Sequence, residues 1–587
     1  MLVHGRLWLQ SLCGATLLLW QNLGVSQPNL GLFDVYQQNR EQAVANLITP
    51  DLLMVSYSLI RQRTVLEQER ELLIPHFQSF TEQLYQQLSK TKLKTNAQKK
   101  AYAYVAVIYS LLTNQSPKPI KGLEIINNEW DLVQQKSGIN DSAILNIKID
   151  YSQLQARGRY SQQEELTRYF QAFKYASMAH FFTNSSAATG ISAEQAQELT
   201  NIAQYLTETI AKNTSIKTAY DQFYQAMTWQ YGTYSELNYQ DFLKIQQANP
   251  TAWTEPQQLN TAINLYRSQQ QPITIYDYPV DPSKLNNQEN MTQVLTGWRL
   301  FSPTQNNDVA AYQQLLYPHT GVFTAPCGQL QCVQPWTLAT VNGQQVKAYA
   351  KASELLAILG INNADQQIQQ NGEHLFKNYA QQQQQASKLL QQPNGLNQLQ
   401  LQFLQEAGCS YPQVSSLLGF WTWQRYINLL YSKQSMTMGS KSLQIPNDEL
   451  RKGAMLYGHV DVYKALLKLV NQHQQQSPRL WDDFALLLER LVKIAEQSSL
   501  DANDEQLLND LDKQLLALTG QKDKPIIVDV HTNPIDKMVV EEAIGLPRVI
   551  EQQQARGALW QHYEFKQPIN QRLDNQQWQT QLLTKNL

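Results

Sequence analysis

The chain has 587 residues, which at roughly 100–200 residues per domain leaves room for two to four compact units or one large helical one. Its 47 basic and 49 acidic residues give a formal charge of -2, so no cationic surplus exists to draw in phosphate backbones, and generic nucleic-acid binding is excluded as a first reading. Hydrophobic residues at 42% and aromatics at 10%, with only 16% charged, exclude a disordered chain, and about 80 glutamines supply much of the polarity.

The N-terminus has a basic start at Arg6, an apolar stretch from Leu7 to Trp20, and small residues at Gly24 and Ser26. This is the pattern of a cleavable signal peptide over residues 1–26 and predicts an exported, periplasmic or secreted chain. No later stretch approaches the ~18 uninterrupted apolar residues of a spanning helix, so no transmembrane segment is expected after cleavage. From Leu30 to Asn249 apolar residues recur at helical spacing. Ser161-Gln-Gln-Glu164 has capping-box form ahead of Leu166, Tyr169, Phe170 and Phe173, and Ser192-Ala-Glu-Gln195 repeats it ahead of Leu199, Ile202 and Leu206. Leu66–Leu88 and Tyr102–Leu112 read as two further helices, the second apolar nearly all round and so expected to be buried.

Pro272, Pro279 and Pro282 then mark a connector, and Pro318 to Ala350 turns to β-branched and turn residues, with Asn342-Gly343 as a hairpin signal. The glutamine clusters at 366–370 and 381–385 are compatible with helix. Helical patterns return from Leu396 to Leu518, and Pro525–Thr532 reads as a strand before a turn at Asn533-Pro534. The expected fold is mainly α: a large multi-helix domain with small β elements at about 320–350 and 525–532. Along the mature chain this divides into a helical part (27–270), a connector with a small β part (271–355), a second helical part (356–520) and a mixed α/β tail (521–587).

Cys327 and Cys332 can close a small loop by a disulfide in an oxidising compartment, whereas Cys409 is read as a buried small hydrophobe. Zinc needs about four ligands and only His319 lies near this cysteine pair, so no metal site is assigned. The nine histidines are never closer than 14 positions, which excludes the helical zinc-protease motif. Serine-hydrolase elbows, phosphate loops and dinucleotide fingerprints are absent from the sequence. The densest chemical cluster is Asp529-Val-His531 with Glu541 and Glu542. On a strand Asp529 and His531 project from one face, an arrangement suited to proton transfer or a cation; the bland alternative is that they satisfy polar groups at a buried strand end.

Asp150, Arg157, Arg159 and Tyr160 form a second cluster, suited to a carboxylate or phosphate or to internal salt bridges. His459 either lines a cleft or caps the helix that follows. Trp421, Trp423 and Tyr426 are read as packing, with ring stacking on sugars or peptides as the alternative.

Several ordered blocks resemble one family. Thr49-Pro-Asp-Leu-Leu53, Asp150–Ser161 leading into Arg168–Phe173, Leu300-Phe301 with Asp308, Leu430–Gln434, Tyr457–Val460, Val528–Thr532, Gly557–Phe565, and Arg572-Leu-Asp574 with Trp578 are similar, in number and order, to the bacterial domain of unknown function 3160 family. The resemblance covers most of the mature chain and implies a large, mainly helical exported domain; it brings no activity or cofactor with it. Where the family often has Gly-His-Tyr-Thr this chain has Gly158-Arg-Tyr-Ser161, and where it often has Arg-His-Asp-Thr this chain has Arg425-Tyr-Ile-Asn428. Two functional expectations follow. One is a binding or scaffold role in the cell envelope, engaging a peptide, a glycan or an envelope protein. The other is a hydrolase-like enzyme using Asp529, His531, Glu541 or Glu542 with a divalent cation.

Overall fold

The computed structural model describes residues 30–585 except 119–123, 235, 271–272, 274, 287–288, 325–334, 412, 437–458, 474–477, 498–500 and 553–554. The expected signal peptide and the Cys327–Cys332 pair lie outside the described residues. About 60% of the described residues are helical and 13% are in strands, which is the mainly helical architecture with small sheets that the periodicity predicts.

Helix α1 (Pro50–Gln68) starts with proline in its first turn and with Thr49 as N-cap, the Thr49 hydroxyl accepting from the Leu52 N–H. Asp51 is fully buried and accepts from Tyr411 Oη (2.6 Å), Ser416 Oγ (2.7 Å) and the Trp560 N–H (2.7 Å), tying this first turn to distant parts of the chain. At Glu69–Leu73 the helix widens into a π-turn and then continues as α2 (Ile74–Ser89). Pro75 gives the reason. Inside a helix its ring crowds the carbonyl of residue 71 and it has no N–H to donate, and one extra residue in the preceding turn absorbs the misfit. Helix α3 (Asn96–Thr113) carries a capping box of Thr95 and Gln98 and is buried on nearly every side.

Helix α4 (Glu164–Met178) differs from expectation at its start. Residues 158–161 form a 3₁₀ turn in which Ser161 Oγ donates to the Gly158 carbonyl (2.9 Å), so the helix begins three residues later with no side-chain cap. The Ser192–Gln195 box does cap α5 (Ala193–Lys212), which α6 (Thr214–Tyr231) follows. These helices meet around Phe77, whose ring lies 5.0–5.8 Å from those of Phe301, Tyr169, Phe173 and Phe223. The hairpin of Leu338–Val341 and Gln344–Lys347 turns on Asn342 (φ 50°) and Gly343 (φ 78°), both left-handed as a two-residue turn of this kind requires. Cys409 is exposed, not buried: it lies on the outer side of Gly395–Ser410, whose buried positions are 396, 397, 400, 401, 403, 404 and 407.

The tail supplies most of the strand content. Strands β1 (Ser435–Met436), β2 (Ile527–Asn533), β3 (Met538–Ile544) and β6 (His562–Pro568) form a sheet in the order β1-β2-β3-β6, parallel between β1 and β2 and antiparallel elsewhere. A hairpin of β4 (Arg548–Gln552) and β5 (Ala555–Leu559) pairs with Ala45–Asn46, bringing the tail back to the first helices. Helix α7 (Val414–Ile427) is buried along its whole length and contacts β2, β3 and β6, while α8 (Asn575–Lys585) covers Ile527 and Ala543 with Trp578 and Leu582. Trp421, Trp423 and Tyr426 on α7 are all buried, as packing requires.

Candidate functional site

Strand β2 carries a bulge. Asp529 stands opposite Glu541, but His531 stands opposite Val540, one residue short of regular register. Neighbouring residues of β3 point to opposite faces, so the bulge sends Asp529 and His531 to opposite sides of the sheet. This corrects the expectation that both share one face.

On its side, His531 is sealed from solvent. Its Nδ1 hydrogen-bonds Ser435 Oγ (2.7 Å) and its ring meets Tyr349 edge-on. Burial pushes its pKa down to about 3, against the Ala348 backbone bond that favours the charged form. Glu542 lies opposite Glu564 on the same face, with His562 Nε2 2.7 Å from Glu542 Oε2. Burial raises both carboxyls well above the ordinary value and holds His562 down to about 4.

Asp529 faces an ionic cluster. Arg157 Nη1 donates to its Oδ2 at 2.5 Å and Arg572 Nε lies 3.0 Å from the same oxygen. Arg572 also reaches Asp150 Oδ2 (3.3 Å), Ser152 Oγ (2.6 Å) and Thr532 Oγ1 (3.2 Å). Burial opposes ionisation of Asp529, but the two guanidinium groups outweigh it and hold the carboxyl below its ordinary pKa. Its partner Glu541 is the reverse case: burial first, then the Asp529 charge, raise its pKa well above normal, and its Oε1 accepts the Leu573 N–H (3.1 Å). The two carboxyls are therefore driven apart, Asp529 towards the ionised form and Glu541 towards the protonated one.

Gly158 separates Arg157 from Arg159. Its φ is +57° and a Cβ there would lie 2.7 Å from the Tyr426 ring, so only glycine lets the two arginines part. Arg159 turns away to Glu69 in the π-turn, with Nε–Oε2 at 3.1 Å and Nη2–Oε1 at 2.7 Å, in a pocket closed by Tyr160, which also donates to Glu69, and by Tyr431. Arg159 and Tyr160 therefore sit in a buried, internally paired cluster. His459 is also elsewhere. It occupies the N-cap position of Val460–Asn471 without a side-chain cap bond, half-buried against Tyr411.

The structure thus brings Asp150, Arg157, Asp529 and Glu541 together, and it adds groups that sequence reasoning missed. Beside Asp150 lies a cavity of about 50 Å³ lined by Lys174 of α4, Asp277, Arg299, Lys433 and Gln434. Lys433 donates to Glu236, and Arg299 Nη2 lies 3.0 Å from Asp277 and 3.8 Å from Glu236. Lys174 is 7% exposed, and its ammonium makes no hydrogen bond or ion pair among the described residues. Burial first, and then the Arg157 charge, lower its pKa to about 8, with Asp277 acting against them. The signal available in the sequence was a lysine one turn after Phe170, on a helix face otherwise filled by Leu166, Tyr169 and Phe173. No group of three or more His, Cys, Asp or Glu suited to a metal ion occurs among the described residues, and no described helix is long and apolar enough to cross a membrane.

These features define a mainly helical protein in which a short terminal sheet closes a buried ionic cluster beside a small cavity. The chain belongs to the family described as protein of unknown function (DUF3160), whose model matches residues 16–587. No curated protein and no solved structure matches it.

Proposed function

We propose that this is an exported protein with a binding or scaffold role in the bacterial cell envelope, acting on a peptide, a glycan or an envelope protein without chemical turnover. The observation that carries this reading is the pairing pattern at the cluster. Asp529 is held by two arginines, burial and the Asp529 charge push the Glu541 pKa up, and the one histidine of that strand is sealed behind the sheet with a pKa of about 3. General acid–base work needs a group within hydrogen-bond reach of substrate and a pKa near the working pH, and none of Asp529, His531 and Glu541 lines the cavity. Charged side chains already locked in geometry suit recognition, because little ordering remains to be done when a ligand arrives.

The test is a binding array of peptides, glycans and envelope extract against the purified protein, run beside ester, phosphodiester, glycoside and peptide hydrolysis assays with and without divalent cations. Saturable binding with no turnover is the expected result. Turnover that disappears in Asp529→Asn would overturn the reading in favour of a hydrolase, and an empty array would overturn the binding role itself.

A further inference from the structure

Each charged side chain of the cluster apart from one has a partner of opposite sign: Arg157 and Arg572 with Asp529, Arg572 also with Asp150, Arg299 with Asp277, and Lys433 with Glu236. Lys174 is the exception. A buried ammonium normally keeps its charge only when paired, yet this one sits in a site whose other cations already claim the acids.

The cavity it lines has four cationic residues, Lys148, Lys174, Arg299 and Lys433, against two acidic ones, Asp150 and Asp277. Lys148 is exposed and stands at the outer side, while Arg299 and Lys433 are buried and form the floor. Arg299 Nε is a buried donor that has no hydrogen-bond partner among the described residues. A volume of about 50 Å³ holds about four water-sized positions, close to the size of a carboxylate with its neighbouring carbon or of one phosphate group.

We propose that the cavity is an oxyanion site, in which the ammonium of Lys174, backed by Arg299 and Lys433, takes a single carboxylate or phosphate group of a ligand. This rests on the binding role and names the chemical group that such a ligand must present. An oxyanion supplies what the site lacks: a negative charge for Lys174 and acceptor oxygens for the donors around it. A neutral sugar supplies neither, and a cation meets four positive side chains on entry.

The test uses the full chain, titrated separately with inorganic phosphate and with acetate at ionic strength held constant by chloride. Two quantities are read: the melting midpoint, and the rate at which an amine-acylating reagent modifies Lys174, followed by peptide mass spectrometry. At least one anion is expected to raise the midpoint and slow modification of Lys174 at least fivefold, with exposed Lys92 and Lys244 unaffected. Lys174→Met is expected to abolish the midpoint response. A response to phosphate alone assigns a phosphate group, to acetate alone a carboxylate, and to both an oxyanion of either kind. The proposal falls if neither anion protects Lys174, or if Lys174→Met responds as the wild type does. Should that variant fail to fold, protection of Lys174 in the wild type decides alone. Array ligands that still bind Lys174→Met would sink this inference and leave the binding role standing, whereas an empty wild-type array would sink the role while the anion titration still judges the site.

Discussion

Replacing Lys174 by methionine is expected to make the protein more stable at neutral pH. Methionine is flexible and close in length, so it fills the same space without the charge. The Lys174 pKa falls from 10.5 unfolded to about 8 folded, a difference of roughly 2.5 units, which corresponds to a penalty of about 3 kcal/mol on the charged form. The penalty is fully present below pH 8, where the ammonium is charged in both states. Between about 8 and 10.5 the unfolded chain holds more protons, so stability rises with pH and the penalty is gone once both forms are neutral. For about 560 cooperatively melting residues the unfolding entropy is about 1.2 kcal/mol/K, so 3 kcal/mol becomes a shift of roughly 2–3 °C. Calorimetry in a buffer free of carboxylate and phosphate, at pH 7 and again near pH 10.5, measures it. Lys174→Met should melt 2–3 °C above wild type at pH 7 and level with it at the higher pH. A variant that melts lower at pH 7, or a gap that ignores pH, refutes the claim that the buried charge is uncompensated.

Other expectations follow from the same geometry. Glu69→Gln leaves Arg159 charged and unpaired in a closed pocket and should cost about 3–5 kcal/mol, read as a fall of several degrees in the melting midpoint; an unchanged midpoint would mean the pair is replaceable by water. For His531 the folded pKa lies below the unfolded one, so the wild type loses stability as pH drops below 6.5. Its advantage over His531→Gln should shrink by up to about 3 kcal/mol between pH 7 and pH 4, and a constant difference in chemical denaturation would place a proton on that ring. Cys409 should react with iodoacetamide in the native state at the rate of a free surface thiol; protection would show that its helix face is covered in solution.

The elements that sequence reasoning recovers are those with a strong local cause. Ser192 and Asn342-Gly343 each act through bonds or dihedrals within a few residues, so the α5 start and the hairpin need no tertiary information, whereas α3 starts at Asn96 on the Thr95 cap, six residues ahead of the apolar run from Tyr102 that announces it. Two other readings failed through single-residue irregularities. Ser161 has the capping pattern but spends its hydroxyl on the Gly158 carbonyl, because residues 158–161 close a 3₁₀ turn that throws Arg157 and Arg159 apart. Asp529 and His531 have period-two spacing, but the inserted residue between them reverses one of the two, and nothing in Asp-Val-His announces a bulge. The cavity was harder still, because its groups come from positions 150, 174, 277, 299 and 433 and share no local pattern. Cys409 was misplaced by residue type alone, although the helical spacing of Phe403, Leu404 and Ala407 points it outward.

The π-turn ahead of Pro75 has a consequence for how this chain tolerates changes in length. An α-helical residue advances about 100° around the axis and 1.5 Å along it, so the added residue fixes the angular phase of everything from Ile74 to Ser89 relative to α1. Deleting one residue between Glu69 and Leu73 would press the Pro75 ring back onto the preceding turn, and it would swing Phe77 and Phe80, which both pack on Phe301, out of the aromatic centre and draw Glu69 away from Arg159. The segment behaves as a coupling between two rods whose relative rotation is set by one residue, and length variation is therefore expected to be excluded there while the loops around it accept it freely.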